Sequence, residues 1–193
     1  MNIFKERGLF MSNENGIIFL QGEKVNLRPL FDSDINDLLR WVNDQGVTQY
    51  LTMYLPTYEK EETDWIENLS KCKSNDIVLG IESGGSLIGT IGLHGINWKD
   101  RTGTLGISIG ENSYWNKGCG TEAVLLILNY AFKNLNLRKI CLSVLGHNKR
   151  AKRCYEKCGF KVEGCKRRQV FKNARYVDEI LMAVFRNERN KNG

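Results

Sequence analysis

Apolar and polar positions alternate over residues 24–30, with Val25 and Leu27 on one side and then Pro29, where the run ends. This is the pattern of a short strand. Asp32 and Asp34 then offer capping carboxylates, and Ile35, Leu38, Leu39 and Val42 recur at helical spacing, which predicts a helix over 34–43. Residues 48–58 read as an aromatic loop carrying Tyr50, Tyr54 and Tyr58, and 59–71 as a second helix, acidic at its start, with Trp65, Ile66 and Leu69 on one side. The runs 77–82 and 87–93 flank Ser83-Gly84-Gly85-Ser86 and predict a hairpin, followed by a strand over 104–109. Residues 119–134 hold Val124, Leu125, Leu126, Ile127 and Leu128 in succession and predict a buried helix. A buried strand over 139–145, a helix over 148–158 closed by Gly159, and strands over 160–171 and 176–185 complete the chain, with Lys172 and Asn173 near the last turn. Residues 1–21 carry no period. They read as an N-terminal tail, with one domain over 22–187 and a second tail over 188–193.

The element order is β-α-α-β-β-β-α-β-α-β-β. It predicts one α+β domain on a mixed, mostly antiparallel sheet, and the helix over 119–134 links two strands that run parallel.

Composition narrows the function classes. The 193 residues suit one domain or two small ones, and no apolar run approaches the roughly 20 residues of a membrane span. Residues 1–16 include Lys5, Glu6, Arg7 and Glu14, which is not a signal-peptide pattern. The cysteines, at 72, 119, 141, 154, 158 and 165, form no Cys-x-x-Cys pair, and His94 and His147 lack ligand spacing, so no metal site is expected. They read as reduced thiols in a cytoplasmic protein. Charge is uneven: residues 1–132 hold 11 basic and 17 acidic residues, a net −6, and residues 133–193 hold 17 basic and 5 acidic, a net +12. The basic third suits a phosphate-bearing ligand and the acidic part a cationic one. Nucleic acid is the other reading of the basic third, and the apolar alternation of core strands there counts against it.

The candidate chemistry centres on WNKGCGTE, residues 115–122, between a strand and the buried helix. Glycines clear side chains from the path of a ligand, and the first N–H groups of the helix form a cradle for an anion such as a pyrophosphate. A Walker-type loop needs Gly-Lys-Ser/Thr, whereas here Lys117 precedes Gly118. A dinucleotide fingerprint fits Gly118, Gly120 and Ala123 but needs an acid about 20 residues on, and the following strand ends Leu145-Gly146-His147. A coenzyme A cradle and a ligand-free turn remain. The second block is NKRAKRCYEKCGF, residues 148–160. On a helix, Asn148, Ala151 (or Lys152) and Tyr155 share a stripe, Ala151 leaves room beside it, and Tyr155 offers a phenol among basic residues.

Together the blocks resemble the GNAT acetyltransferase superfamily. The glycine loop from Trp115 to Gly120 matches one motif, and Asn148, Ala151, Tyr155, Lys157, Gly159 and Phe160 match the N-x-x-A-x-x-x-Y-x-K-x-G-F motif. The order of elements agrees from Glu23 to about Arg186. The stretches NLRPL, Leu93 to Asn97 and YWNKGCGTEA are similar to the branch that includes ribosomal-protein N-terminal and spermidine acetyltransferases. Relatives often carry Glu where this chain has Thr104.

The resemblance implies a sheet with helices on both faces and a splayed parallel strand pair, 104–109 and 139–145. It implies acetyl-CoA as co-substrate, its pantetheine arm along Ile107, Ser108 and Ile109. Its pyrophosphate would sit on Asn116, Lys117, Gly118, Cys119, Gly120 and Thr121. Asn148, Ala151 and Lys152 would line the same site, Lys152 meeting the 3′-phosphate. An amine would attack the thioester directly, the Ile109 N–H would stabilise the oxyanion and Tyr155 would protonate the leaving thiolate. Glu111, His94 and Asp100 are the candidate bases, with Glu111 favoured. The acceptor, a small-molecule or peptide amine, would meet Tyr50, Tyr54, Tyr58, Glu59, Glu61, Glu62 and Asp64. No membrane or nucleic-acid partner is expected, and a homodimer is compatible with the family. The competing readings are a nucleic-acid-binding module, an NAD-dependent oxidoreductase lacking its acid, and a regulatory domain that binds acetyl-CoA without turnover.

Overall fold

The structure, a computed structural model, describes residues 12–13, 16–71 and 75–189. Cys72 and parts of both tails lie outside the described residues. Eight strands form one sheet: β1 (Leu20–Gln21), β2 (Asn26–Arg28), β3 (Ile77–Ser83), β4 (Ser86–Asn97), β5 (Thr102–Ile109), β6 (Lys139–Leu145), β7 (Lys161–Lys172) and β8 (Arg175–Phe185). Their spatial order is β1-β2-β3-β4-β5-β6-β8-β7. The helices are α1 (Ile35–Val42), α2 (Gln45–Thr48), α3 (Glu59–Lys71), α4 (Cys119–Lys133), α5 (Lys149–Lys157) and α6 (Arg186–Arg189). Ser12–Asn13 and Gly16–Ile17 pair only with each other. No helix among the described residues is long and apolar enough to cross a membrane.

The sheet begins inside the segment that the pattern assigns to a tail. The Phe19 N–H donates to Leu27 O at 2.8 Å, and the Phe19 ring meets Tyr130 edge-on at 5.0 Å. A two-residue strand is too short to show a period. Likewise α2 fills the unassigned stretch between the predicted helix over 34–43 and the aromatic loop, where Asp44 Oδ1 caps it by accepting from the Gly46 N–H at 2.7 Å. β4 extends to Asn97 across a register shift after His94, an irregularity that breaks the alternation.

Neighbouring side chains on β4 face opposite layers, as strand geometry requires. Ile88 joins the main core beneath α4, where Ala123, Val124, Ile127, Leu128 and Ala131 are all fully buried. Leu87 joins Leu38, Trp41 and Ile66 from α1 and α3 in a second cluster. Helices therefore cover both faces.

Every strand pair is antiparallel except β5–β6. That parallel ladder pairs Thr102 with Lys139, Gly103 with Ile140 and Thr104 with Cys141, and then ends. β5 stays with β4 as far as Ile109–Gly89, and β6 stays with β8 as far as Leu145–Glu179. Each strand follows its outer neighbour, and a gap opens between them.

The joint between β2 and α1 is ionic. Arg28 is 7% exposed and donates to both carboxylate oxygens of Asp34 at 2.8 and 2.9 Å and to Glu82 at 2.9 Å. Asp34 Oδ2 also accepts from the Phe31 N–H at 2.9 Å. Removing one member strands buried charge, so Arg28→Met is expected to cost about 3–5 kcal/mol. The midpoint of urea denaturation at constant slope checks this.

Candidate functional site: a gap between parallel strands

A cavity of about 470 Å³ occupies the gap, walled by β5 from Thr104 to Ile109, β6 from Ser143 to Leu145, the 114–121 segment and α5. The direction of the β5 backbone follows from two bonds. The Gly110 N–H donates to Ile88 O at 2.9 Å, toward β4, and Ile109 O accepts from Trp115 Nε1 at 2.8 Å, on the other side. By strand alternation, Ile107 and Ile109 turn their N–H and C=O groups toward the gap. Backbone that would pair with a neighbouring strand is left there for a ligand. The Trp115 indole also fastens the glycine loop to the end of β5.

That loop turns left-handed twice, with φ +63° at Asn116 and +89° at Gly118, the residue before α4. No side chain caps α4, so the N–H groups of Cys119, Gly120 and Thr121 in its first turn stand unbonded within the helix. They carry the positive end of a 15-residue helix. A side chain at Gly118 would come within 3.1 Å of Lys24 Nζ, which places that ammonium at the cradle. Glu122 straps the β1–β2 turn over the loop, accepting from the Glu23 N–H at 2.5 Å and the Lys24 N–H at 2.9 Å.

The opposite wall is α5. Asn148 caps it, its Oδ1 accepting from the Ala151 N–H at 3.1 Å. Gly159 ends it at φ +93°, its N–H donating to Glu156 O at 3.0 Å, and the Phe160 N–H donates to Tyr155 O at 3.0 Å. This helix-stop pairs the residue after the glycine with the one four before that glycine. It brings the Phe160 ring to 5.9 Å from the Tyr155 ring and holds the phenol in place. Tyr155 is 8% exposed, lines the cavity, and has no hydrogen-bond partner for its hydroxyl among the described residues. Burial, then the Cys154 and Cys158 thiols, pushes its pKa above the ordinary phenol range.

The residues that match in sequence are thus assembled around one gap, and likeness to known proteins agrees. Residues 24–161 match the acetyltransferase (GNAT) domain. The chain belongs to the GNAT acetyltransferase family. The spermidine N(1)-acetyltransferase of Escherichia coli strain K12 is 31% identical over 166 residues, 85% of this chain and 87% of that protein. The probable N-acetyltransferase YjcK of Bacillus subtilis is 30% identical over 174 residues, 86% of this chain and 96% of that one. The crystal structure of spermidine N-acetyltransferase from Vibrio cholerae in complex with CoA and spermine superposes with a TM-score of 0.79 at 26% identity, over 86% of this chain and 97% of that one.

Within this GNAT domain, Ile107, Ser108, Ile109, Asn116, Gly118, Gly120, Thr121, Asn148, Ala151 and Tyr155 line the gap. Cys119 contributes its backbone at the cradle while its side chain lies in the core. Lys117 turns over the Tyr114 ring at 5.6 Å. Lys152 lies off the cavity lining, 3.7 Å from Glu156. The cations that do line it are Arg150, Arg153 and Lys157, whereas the resemblance favoured Lys152 among the basic residues of this helix. Their i, i+3, i+7 spacing was readable as one helix face. Arg150 stacks 3.6 Å from the Trp115 ring centre and 5.0 Å from that of Tyr50.

The candidate bases stand apart from the gap. Glu111 is ion-paired to Arg40 and accepts from Trp41 Nε1 at 3.1 Å. The Arg40 hydrogen bond, joined by that of Trp41, holds its carboxyl below the usual carboxylate range. Asp100 accepts from Asn97 Nδ2 at 2.9 Å in the β4–β5 turn, and the His94 ring occupies space left by Gly92 and Gly106.

Cys154 lines the cavity with its Sγ 3.3 Å from Thr121 Oγ1. Hydrogen bonding with Cys158 and then Thr121, with the charge of Lys157, outweighs burial and lowers its thiol pKa to about 7. Cys141 is pushed the other way by burial. Iodoacetamide at pH 7.5 is expected to modify Cys154 well before Cys141, and saturating acetyl-CoA to slow the Cys154 reaction at least severalfold. Peptide mass mapping reads both.

Proposed function

We propose that the chain transfers the acetyl group of acetyl-CoA to an amine in a single direct displacement. The observation that carries this reading is the juxtaposition of unpaired β5 backbone, an uncapped α4 N-terminus and the Tyr155 phenol around one cavity. The residues fit acetyl-CoA: the cradle suits a pyrophosphate, and Arg150, Arg153, Lys157 and Lys24 suit its phosphate charge. The spermidine acetyltransferase relatives support an amine as acceptor.

Bound acetyl-CoA supplies an activated acetyl thioester whose leaving group is a thiolate. Ile109, and Ile107 behind it, offers a fixed N–H to the negative charge that develops on a carbonyl oxygen, the kind of preorganised donor that stabilises such charge without rearrangement. Tyr155 holds its proton firmly and gives it to a sulfur of ordinary pKa near ~8.5. A second cavity of about 680 Å³, under the 51–57 segment, receives the acceptor. It shares Val47, Leu51, Thr52 and Ser108 with the first, so the two spaces meet at β5.

The basic C-terminal third does not favour a nucleic-acid reading. Lys139, Lys161 and Lys166 pair with Glu163, Glu188 and Glu179, and Arg150, Arg153 and Lys157 face the cavity. We place the activity in the cytoplasm, where the described cysteines, none of them disulfide-bonded, stay reduced.

Acetyl-CoA-dependent thiol release over a panel of amines tests the reading, and calorimetry showing no acetyl-CoA binding refutes it. Tyr155→Phe is expected to reduce kcat by about 10²–10⁴-fold with acetyl-CoA affinity retained. The raised phenol pKa keeps the proton on Tyr155 through neutral and alkaline pH, while the amine must lose its own. Activity should therefore rise with pH and show no Tyr155-dependent fall below about 10. A pH–rate profile of the wild type checks the sign.

A further inference from the structure

The acceptor cavity is largely apolar, with the hydroxyls of Thr52, Thr57, Thr90 and Ser108 and the carboxylates of Glu61 and Glu62 among its lining. Leu38, Trp41, Val42, Leu51 and Trp65 line it, and Glu62 of α3 enters it as a buried carboxylate, 7% exposed. The Glu62 carboxylate has no hydrogen bond or ion pair among the described residues, and burial alone raises its pKa. The other acid of the lining, Glu61, is engaged at the start of α3, accepting from the Tyr58 N–H at 2.9 Å. An unpartnered carboxylate in such a setting is costly to the free protein, and a cation that enters the cavity offsets that cost. The mouth is apolar as well: Tyr54 is 84% and Leu55 65% exposed, beyond what a surface with no apolar ligand needs.

We propose that Glu62 is the counter-ion that draws the acceptor in as its ammonium, which releases one proton to solvent before its nitrogen attacks, and that it selects amines with one positive charge and an apolar body. This deepens the acetyltransferase reading and rests on it. A polyamine would bring further ammonium groups against Leu38, Val42 and Leu51, with Glu61, already bonded to the Tyr58 N–H, as the one other acid in the described lining, and each group left unpaired would be desolvated at a loss. The Trp65 indole, 37% exposed, offers the cavity an aromatic surface that suits a hydrophobic chain. Two sources present this chemistry, a free aralkylamine and a peptide N-terminus with an apolar first side chain.

The test compares acetyl transfer by the full chain to phenethylamine, to a peptide beginning with leucine, and to spermidine, alongside calorimetry with acetyl-CoA. Phenethylamine or the peptide is expected to exceed spermidine in kcat/KM by about tenfold or more, and whichever is better identifies the source. Glu62→Gln should raise KM for that acceptor about 10- to 100-fold, the loss of one charge-assisted contact, with acetyl-CoA affinity unchanged. Glu62→Asp should recover part of the loss. Inhibition by uncharged 3-phenyl-1-propanol should be the same in wild type and Glu62→Gln, which separates lost charge recognition from a damaged pocket. Preference for spermidine, a KM unchanged in Glu62→Gln, or acetyl-CoA binding without transfer to any of the three overturns the proposal and leaves the acetyltransferase reading standing. Absence of acetyl-CoA binding brings down both.

Discussion

Two adjacent parallel strands that share a ladder only from Thr102 to Thr104 are the constraint on which the rest of this structure depends. Backbone polar groups in a folded chain are almost always paired. Here the sheet leaves a stretch of β5 unpaired on one side because each strand is claimed by its outer neighbour, β5 by β4 and β6 by β8. The divergence is held open from above. Trp115 binds the last carbonyl of β5, and α5, capped by Asn148 and stopped at Gly159, stands beyond the end of β6. The cavity is therefore not a hollow left by poor packing. It is an interrupted hydrogen-bond ladder that a ligand's amide groups can complete.

Electrostatics divides the site into two halves of opposite character. On the α4 and α5 side the charges are positive: an uncapped helix terminus, Lys24, Arg150, Arg153 and Lys157. On the α1 and α3 side the lining is mostly aromatic and aliphatic, and its buried acid, Glu62, has no hydrogen bond or ion pair among the described residues. The two sides meet where Ser108 belongs to both. The linings suit an anionic donor on one side of β5 and a cationic acceptor on the other. Tyr155 stands on the donor side, its phenol kept protonated by burial.

The cost of this arrangement is visible in what surrounds it. Charges that serve only the fold are fully paired, as Arg28 is by Asp34 and Glu82. Glu62 and the Tyr155 hydroxyl are left without partners among the described residues, and both face the cavities. Glu111 is paired as well. Arg40 and Trp41 hold it, and with Trp41 packed against Gly110 it secures α1 to the end of β5.

Sequence alone determined the parts whose physics is local. The apolar run of α4, the glycine turn before it, the Gly159 stop and the spacing of Tyr155 within α5 are set by residues a few positions apart, and all are where the pattern placed them. The parallel relation of β5 and β6 followed too, because a helix between two strands of one sheet returns the chain in the same direction. Tertiary structure decided which of several similar side chains reached the site. Arg150, Arg153 and Lys157 line the gap while Lys152, on the same helix, turns to Glu156. Glu111 was captured by a helix 71 residues earlier in the chain, and Glu62 alone among the neighbouring acids was drawn under an aromatic cover. These outcomes depend on how helices are rotated and which distant groups they meet, and a charge in sequence carries no record of that.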